Sequence, residues 1–119
     1  VQKVPIFADI YEVHGVPIGK KKWGDAAWEA VHEAFADGLF VSGKTIEENI
    51  SIVNEIKQRV PNTPIYLGGG ANGDNISTLI KYYDGVSIAT WIKDGNMRNP
   101  INPQKSKTFL WTLLIIIEK

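Results

Sequence analysis

The sequence predicts an α/β chain, a parallel (β/α) arrangement of about four βα units that amounts to half of a TIM-type barrel. Three observations carry this expectation. Short apolar runs alternate with longer segments whose apolar residues recur at helical spacing. The strand-like runs are apolar at nearly every position, as strands are when helices cover a parallel sheet. Two of these runs, Pro64-Ile-Tyr-Leu-Gly-Gly-Gly70 and Gly85-Val-Ser-Ile-Ala-Thr90, open onto small residues. Bare backbone at a strand tip is what a phosphate-binding barrel places between neighbouring strands, because only exposed N–H groups can close around a phosphate oxygen.

Each element follows from its local pattern. Residues 4–10 are apolar and β-rich, and 25–36 read as a helix with Trp28, Val31 and Phe35 on one face. The loop between them carries Gly15, Pro17, Gly19 and three lysines, Lys20 to Lys22, read as solvated. The second strand, 38–41, ends in Ser42 and Gly43. Thr45-Ile-Glu-Glu48 then forms a capping box, in which hydroxyl and carboxylate satisfy reciprocal backbone donors. Ile46, Ile50, Val53 and Val60 continue that helix as an apolar stripe. The third strand is 65–67, and its helix starts near Asn75, capped by Asp74, and buries Ile76, Leu79, Ile80 and Tyr83. Residues 86–89 make the fourth strand and 91–101 a long loop. Asn102-Pro103 supplies an N-cap with proline at the first helical position of the last helix.

Composition narrows the function classes. The 119 residues, 44% hydrophobic, suit a single domain over 1–119. Thirteen basic and thirteen acidic residues cancel, so no basic face for nucleic acid is expected. The chain has no cysteine, which excludes disulfides, thiolate metal sites and a cysteine nucleophile and fits a reducing cytoplasm. No leader precedes Val1, and the longest apolar run, 113–117, falls far short of the ~20 residues of a membrane span. The last helix is nevertheless apolar on nearly every face. It either packs on the sheet or presents an interaction surface, including a peripheral one at a membrane. A full barrel takes about 250 residues, so four units are expected to form a homo-oligomer or to pair with a missing N-terminal half. The chain opens without methionine, which suggests a fragment of a longer (β/α)8 barrel.

In barrels, ligands sit at the C-terminal ends of the strands. Asp9, Glu12, His14, Ser42, Gly43, Lys44, Gly68, Gly69, Gly70, Ala89, Thr90, Trp91 and Lys93 all fall at or just past such ends. Gly68, Gly69 and Gly70, with the helix start beside them, would offer N–H groups and a helix dipole to a phosphate. Ala89 and Thr90 would form the facing wall. Asp9 and His14 in one loop suit acid/base work, or else merely brace the loop. Lys93 would neutralise a phosphate or polarise a carbonyl, or else is solvated. Trp91 is the aromatic placed for ligand contact, whereas Trp23, Trp28, Trp111 and the helical His32 read as structural. No metal ligand set and no cofactor motif is present.

Ala8-Asp-Ile with His14-Gly-Val-Pro-Ile-Gly19, Ala36-Asp-Gly-Leu-Phe-Val-Ser-Gly43, the two glycine-containing strands above, Trp91-Ile-Lys-Asp-Gly95 and Asn99-Pro-Ile-Asn102 together resemble the BtpA family. The resemblance covers nearly the whole chain and places it at strands five to eight of that family's barrel. It implies a (β/α)8 fold related to the ribulose-phosphate-binding group, a link to photosystem I biogenesis in photosynthetic organisms, and an enzyme of unassigned reaction. The alternative it implies is an assembly or stabilisation factor without catalysis. Three departures from the family pattern argue against strictly kept activity, and the first two, with the apolar last helix, favour that alternative. Val13 stands where the family usually has lysine, Ser42-Gly-Lys-Thr45 replaces a longer loop, and Gly68-Gly-Gly70 replaces a serine-containing turn.

Overall fold

Leu39, Val41, Ile65 and Leu67 alternate along two neighbouring strands and are all buried, which fixes the core-facing side of the sheet. The structure is a computed structural model that describes residues 2–12 and 14–117, the side chains of 116 and 117 excepted. Val1 and the departure at Val13 lie outside the described residues. The strands are β1 (Phe7–Tyr11), β2 (Gly38–Val41), β3 (Ile65–Leu67) and β4 (Gly85–Val86). They alternate with α1 (Trp23–His32), α2 (Ile46–Arg59), α3 (Ile76–Leu79) and α4 (Pro103–Ile117), and a 3₁₀ turn at Trp91–Lys93 precedes α4. Every strand pair is parallel, and sheet order equals chain order, β1-β2-β3-β4. The α/β class and the four-stranded parallel sheet are those the sequence predicts.

The core gathers those four strand residues with Ala27 of α1, Ile52, Val53 and Ile56 of α2, and Ile76 and Leu79 of α3. The opposite face of the sheet carries a separate aromatic group. Phe7, Phe40 and Tyr66 have ring centroids 5.0–5.9 Å apart and belong to no part of the main core. In β1 the register slips between Asp9 and Tyr11, so Ile10 is a bulge residue. The bulge turns Tyr11, paired with Val41, back toward the core side, where its ring meets Trp23.

The helix ends follow the caps. Thr45 Oγ1 accepts the Glu48 N–H at 3.1 Å, as the capping box requires, while the Glu48 carboxylate takes the Lys44 N–H at 2.6 Å. Asn102 Oδ1 accepts from Gln104 and Lys105 at the start of α4. At α3 the capping differs from expectation. Asn72 Oδ1 takes the Asp74 and Asn75 N–H groups and Asn75 Oδ1 returns the Asn72 N–H, leaving the Asp74 side chain exposed.

Two expected boundaries are corrected. Helix α1 stops at His32, and Phe35 is not on its apolar face but 72% exposed at φ 58°. The Ala36 N–H bonds the Ala30 carbonyl, closing the helix with a left-handed residue in the place usually held by glycine. The strand expected over 86–89 pairs only at Gly85–Val86. An edge strand has one neighbour, and past Ser87, whose N–H reaches Leu67 O, β3 has already ended.

The structure also reveals a repeat. Pro5-Ile6-Phe7 and Asp37-Gly38 occupy the same relation as Pro64-Ile65-Tyr66 and Asp84-Gly85. In each case the aspartate carboxylate accepts the isoleucine N–H at 2.8 Å and its own N–H returns to the isoleucine carbonyl. In each case the aromatic ring lies over the paired glycine. A Cβ at Gly38 would meet the Phe7 ring at 2.2 Å, and one at Gly85 would meet Tyr66 at 3.1 Å. The sheet is therefore two βαβ modules side by side.

Asn49 is the buried polar residue that ties these parts. Its Oδ1 accepts from Gly43 N (2.9 Å) and Tyr83 OH (2.7 Å), and its Nδ2 donates to Gly43 O (3.2 Å) and Thr45 O (2.7 Å). Burial pushes the Tyr83 phenol well above its ordinary pKa, so it remains a donor at any physiological pH. Asn49→Ala should lower unfolding free energy by about 2–3 kcal/mol, because it orphans buried groups on two segments. Tyr83→Phe should cost roughly 1 kcal/mol. Urea denaturation of both variants checks the order.

Candidate functional site

The two small-residue strand tips meet. Gly68, Gly69 and Gly70 follow β3, Ala89 and Thr90 follow β4, and together they line one cleft of 750 Å³. His14 and Glu12, just past β1, and Trp91 complete its walls. The backbone geometry suits close approach. Gly70 adopts φ 75°, and a Cβ there would meet nothing, so the turn is open to the cleft. Among the described residues, the N–H groups of Gly69, Gly70, Ala89 and Thr90 donate to no protein acceptor. The donors at the start of α3 are different, since the Asn72–Asn75 exchange already uses them. With only four residues, α3 also adds little dipole, so any anion grip rests on the loop amides rather than the helix expected beside them.

The charged groups are arranged less simply than the sequence suggests. Lys93 does not line this cleft; its Nζ donates to Met97 O at 3.0 Å and closes its own loop. The cation on the cleft wall is Lys105, from the first turns of α4. Its Nζ lies 3.0 Å from Asp94 Oδ1, donates to Trp91 O and sits 5.1 Å over the Trp91 ring. That ion pair, with Asn102 Nδ2, holds the exposed Asp94 carboxyl below its ordinary range. Asp94 (φ 55°) and Gly95 (φ 82°) form the tight turn that brings Lys105 back over the tryptophan. Sequence reading passed over Lys105 because it lies fourteen positions from Trp91 along the chain and is placed only by that turn.

Trp91 is a wall rather than a free platform. It packs on Phe109 at 6.1 Å and lies against Gly73, where a Cβ would come within 2.8 Å of the ring. Gly43 lines a neighbouring hollow with Gly69, Gly70 and Lys44. Ser42 is 1% exposed, and its hydroxyl has no hydrogen-bond partner among the described residues. It lies directly under the glycine turn, 3.6 Å from where a Gly69 Cβ would be.

Asp9 does not line the cleft but stands on the open face of the sheet beside the aromatic group. Partial enclosure of its carboxyl, then the charge on Glu12, raises its pKa. Among the described residues no group of three or more His, Asp or Glu side chains converges on one point.

A sequence model of the BtpA family matches residues 1–113. The chain belongs to the BtpA family. It is 35% identical over 102 residues to an uncharacterized protein of Pyrococcus furiosus, covering 84% of this chain and 38% of that one. It is 30% identical over 110 residues to the photosystem I biogenesis protein BtpA of Synechocystis sp., covering 90% and 38%. An uncharacterized protein of Thermococcus kodakarensis is 30% identical over 107 residues, covering 88% and 40%. The chain thus spans about two fifths of the length of these BtpA relatives. No solved structure matches it. Among the described residues, no helix is long and apolar enough to cross a membrane.

The Asp9 shift gives a signed expectation. Folding raises this pKa, so the folded state holds the proton more tightly than the unfolded chain. Stability should fall as pH climbs from the ordinary value of 3.8 through the raised one. Asp9→Asn should therefore melt above the parent at pH 7, with the difference shrinking below pH 3.8, as thermal scans across that range would show.

Proposed function

We propose that this BtpA-family chain binds a small phosphorylated metabolite at the C-terminal ends of β3 and β4. The observation that carries the reading is that four residues lining one cleft at two adjoining strand tips have backbone N–H groups unclaimed among the described residues. Gly69 and Gly70 take one side of the phosphate and Ala89 and Thr90 the other. The Thr90 hydroxyl is available as a further donor. Lys105, rather than Lys93, is the lysine on the cleft wall, and it would reach the phosphate only by sharing its charge with Asp94. His14, which lines the same cleft, would exchange a proton with the organic part of the ligand, whereas Asp9 lies outside the cleft and takes no part. This set supports acid/base chemistry on a phosphorylated substrate without naming the bond that changes.

A second reading follows from a different observation. Leu110, Trp111 and Leu114 leave an apolar strip of α4 exposed, and one relative is named for photosystem I biogenesis. On that reading the protein is a non-catalytic assembly factor that works through protein or membrane-surface contacts.

One titration separates them. Inorganic phosphate or a sugar phosphate at millimolar concentration should raise the melting temperature and move the Gly69, Gly70 and Thr90 amide resonances. Ala89→Asp sets a carboxylate against the anion and should weaken binding at least about tenfold, the effect of roughly 1.4 kcal/mol of repulsion. A chain indifferent to every phosphate tested leaves the assembly reading standing alone.

A further inference from the structure

Among the described residues, the Ser42 hydroxyl is the one buried side-chain polar atom that bonds nothing. The residue is 1% exposed and held firmly on both sides. Its N–H donates to Tyr11 O at 2.9 Å, and Asn49 fixes the Gly43 that follows. The large majority of buried side-chain polar atoms are paired, so this hydroxyl marks a contact not yet made. Its surroundings do not depend on what lies beyond either end of the chain. β2 and β3 are the inner strands, each with a neighbour on both sides. Ser42 follows the first of them and the glycine turn follows the second.

What stands over the hydroxyl is the part of the turn that is free to rotate. Gly68 is anchored, since its N–H donates to Val41 O at 3.3 Å. The Gly70 carbonyl is anchored as well, by Asn75 Nδ2 at 2.8 Å and Asn72 Nδ2 at 3.4 Å. Between these points, among the described residues, the Gly69 carbonyl accepts nothing and the Gly70 N–H donates nothing. These two groups belong to one peptide unit. Turning that unit over changes only the Gly69 ψ and the Gly70 φ, and glycine on both sides tolerates either setting. Space permits the turn. Apart from its chain neighbours, a Gly69 Cβ would find only Ser42 Oγ within 4 Å among the described residues, at 3.6 Å. A Gly70 Cβ would meet nothing.

We propose, on the phosphate-binding reading above, that the Ser42 hydroxyl is the latch of this peptide unit and that an anion in the cleft sets it. With phosphate bound, the Gly70 N–H points at an anion oxygen. The other end of the same unit, the Gly69 carbonyl, then accepts the Ser42 O–H. The structure shows the other setting, in which that bond is not made. A ligand shifts such an equilibrium only by its preference for one setting. Here the preference is one N–H aimed at a negative charge and one buried hydroxyl satisfied beneath it. Ser42 is thus a positioning residue, since it touches the turn and not the ligand.

Phosphate titrations of the parent, Ser42→Ala and Ser42→Cys, followed by NMR and by thermal melting, test the latch. Alanine removes the donor, whereas cysteine fills the space with a weak one. Both variants should bind inorganic phosphate roughly three- to tenfold more weakly than the parent, the effect of one hydrogen bond. Without phosphate, Ser42→Ala should melt no lower than the parent, because no bond is lost. In the parent, phosphate should move the Gly69 carbonyl carbon resonance together with the Gly70 amide, and in Ser42→Ala the carbonyl shift should shrink. Variants that bind as tightly as the parent overturn the latch and leave phosphate binding intact. So does a phosphate-free Ser42→Ala that melts well below the parent, which would show the hydroxyl already bonded, as to a trapped water. Ser42→Cys binding like the parent while Ser42→Ala does not would assign the effect to packing and overturn it too. A parent that binds no phosphate overturns the metabolite-binding reading itself, and the latch with it.

Discussion

Asn49 sits where the tip of β2 and the first turn of α2, neighbours in the sequence, meet the distant stretch that follows α3. Its carboxamide bonds both the N–H and the carbonyl of Gly43 and accepts the Tyr83 hydroxyl, all away from water. Hydrogen bonds in such surroundings are strong when complete and costly when one member is lost. The consequence reaches the cleft. Gly43 fixed at the end of β2 sets where Ser42 lies, and Ser42 is the floor beneath the Gly69 turn. The positions of the loop amides thus depend on a polar contact that none of them makes.

The aspartate–glycine pairs form a second layer of the same design at the opposite end of the sheet. Asp37 and Asp84 each clamp the preceding strand, and each following glycine leaves room for an aromatic ring to lie flat over the backbone. Asp37 is also bonded by Lys3 at 2.7 Å, and with the Ile6 N–H this holds its carboxyl below the ordinary range. One end of the sheet is therefore locked by carboxylates, and the other is left as open backbone. That asymmetry is what allows an open cleft and a stable strand register to coexist on strands of two to five residues.

The parts legible in the sequence were those written locally. Apolar runs bounded by glycine marked the strands, the Thr45 and Asn102 caps marked two helix starts, and the small-residue tips marked the cleft. What escaped depended on distance or on an unusual residue in a common role. Phe35 closes α1 in a conformation that glycine normally signals, so nothing in the letters ended the helix at His32. Asn49 looked like a polar interruption in an apolar stripe, although its place four residues after a threonine cap is where a side chain can fold back on the cap carbonyl. Lys105 gained its position from the Asp94–Gly95 turn rather than from its neighbours. The module repeat was visible as Pro-Ile-aromatic and Asp-Gly occurring twice, but unequal spacing between the copies concealed it until strand pairing aligned them.

Sheet order that follows chain order has a further bearing on how such a protein is made. β2, β3 and β4 each dock on the strand made just before them, so the connections between these four strands need no threading through a formed structure. Growth by accretion at a free edge needs no rearrangement of what already exists. A lineage could lengthen or shorten such a protein by whole modules, each addition finding a ready template in the last strand laid down.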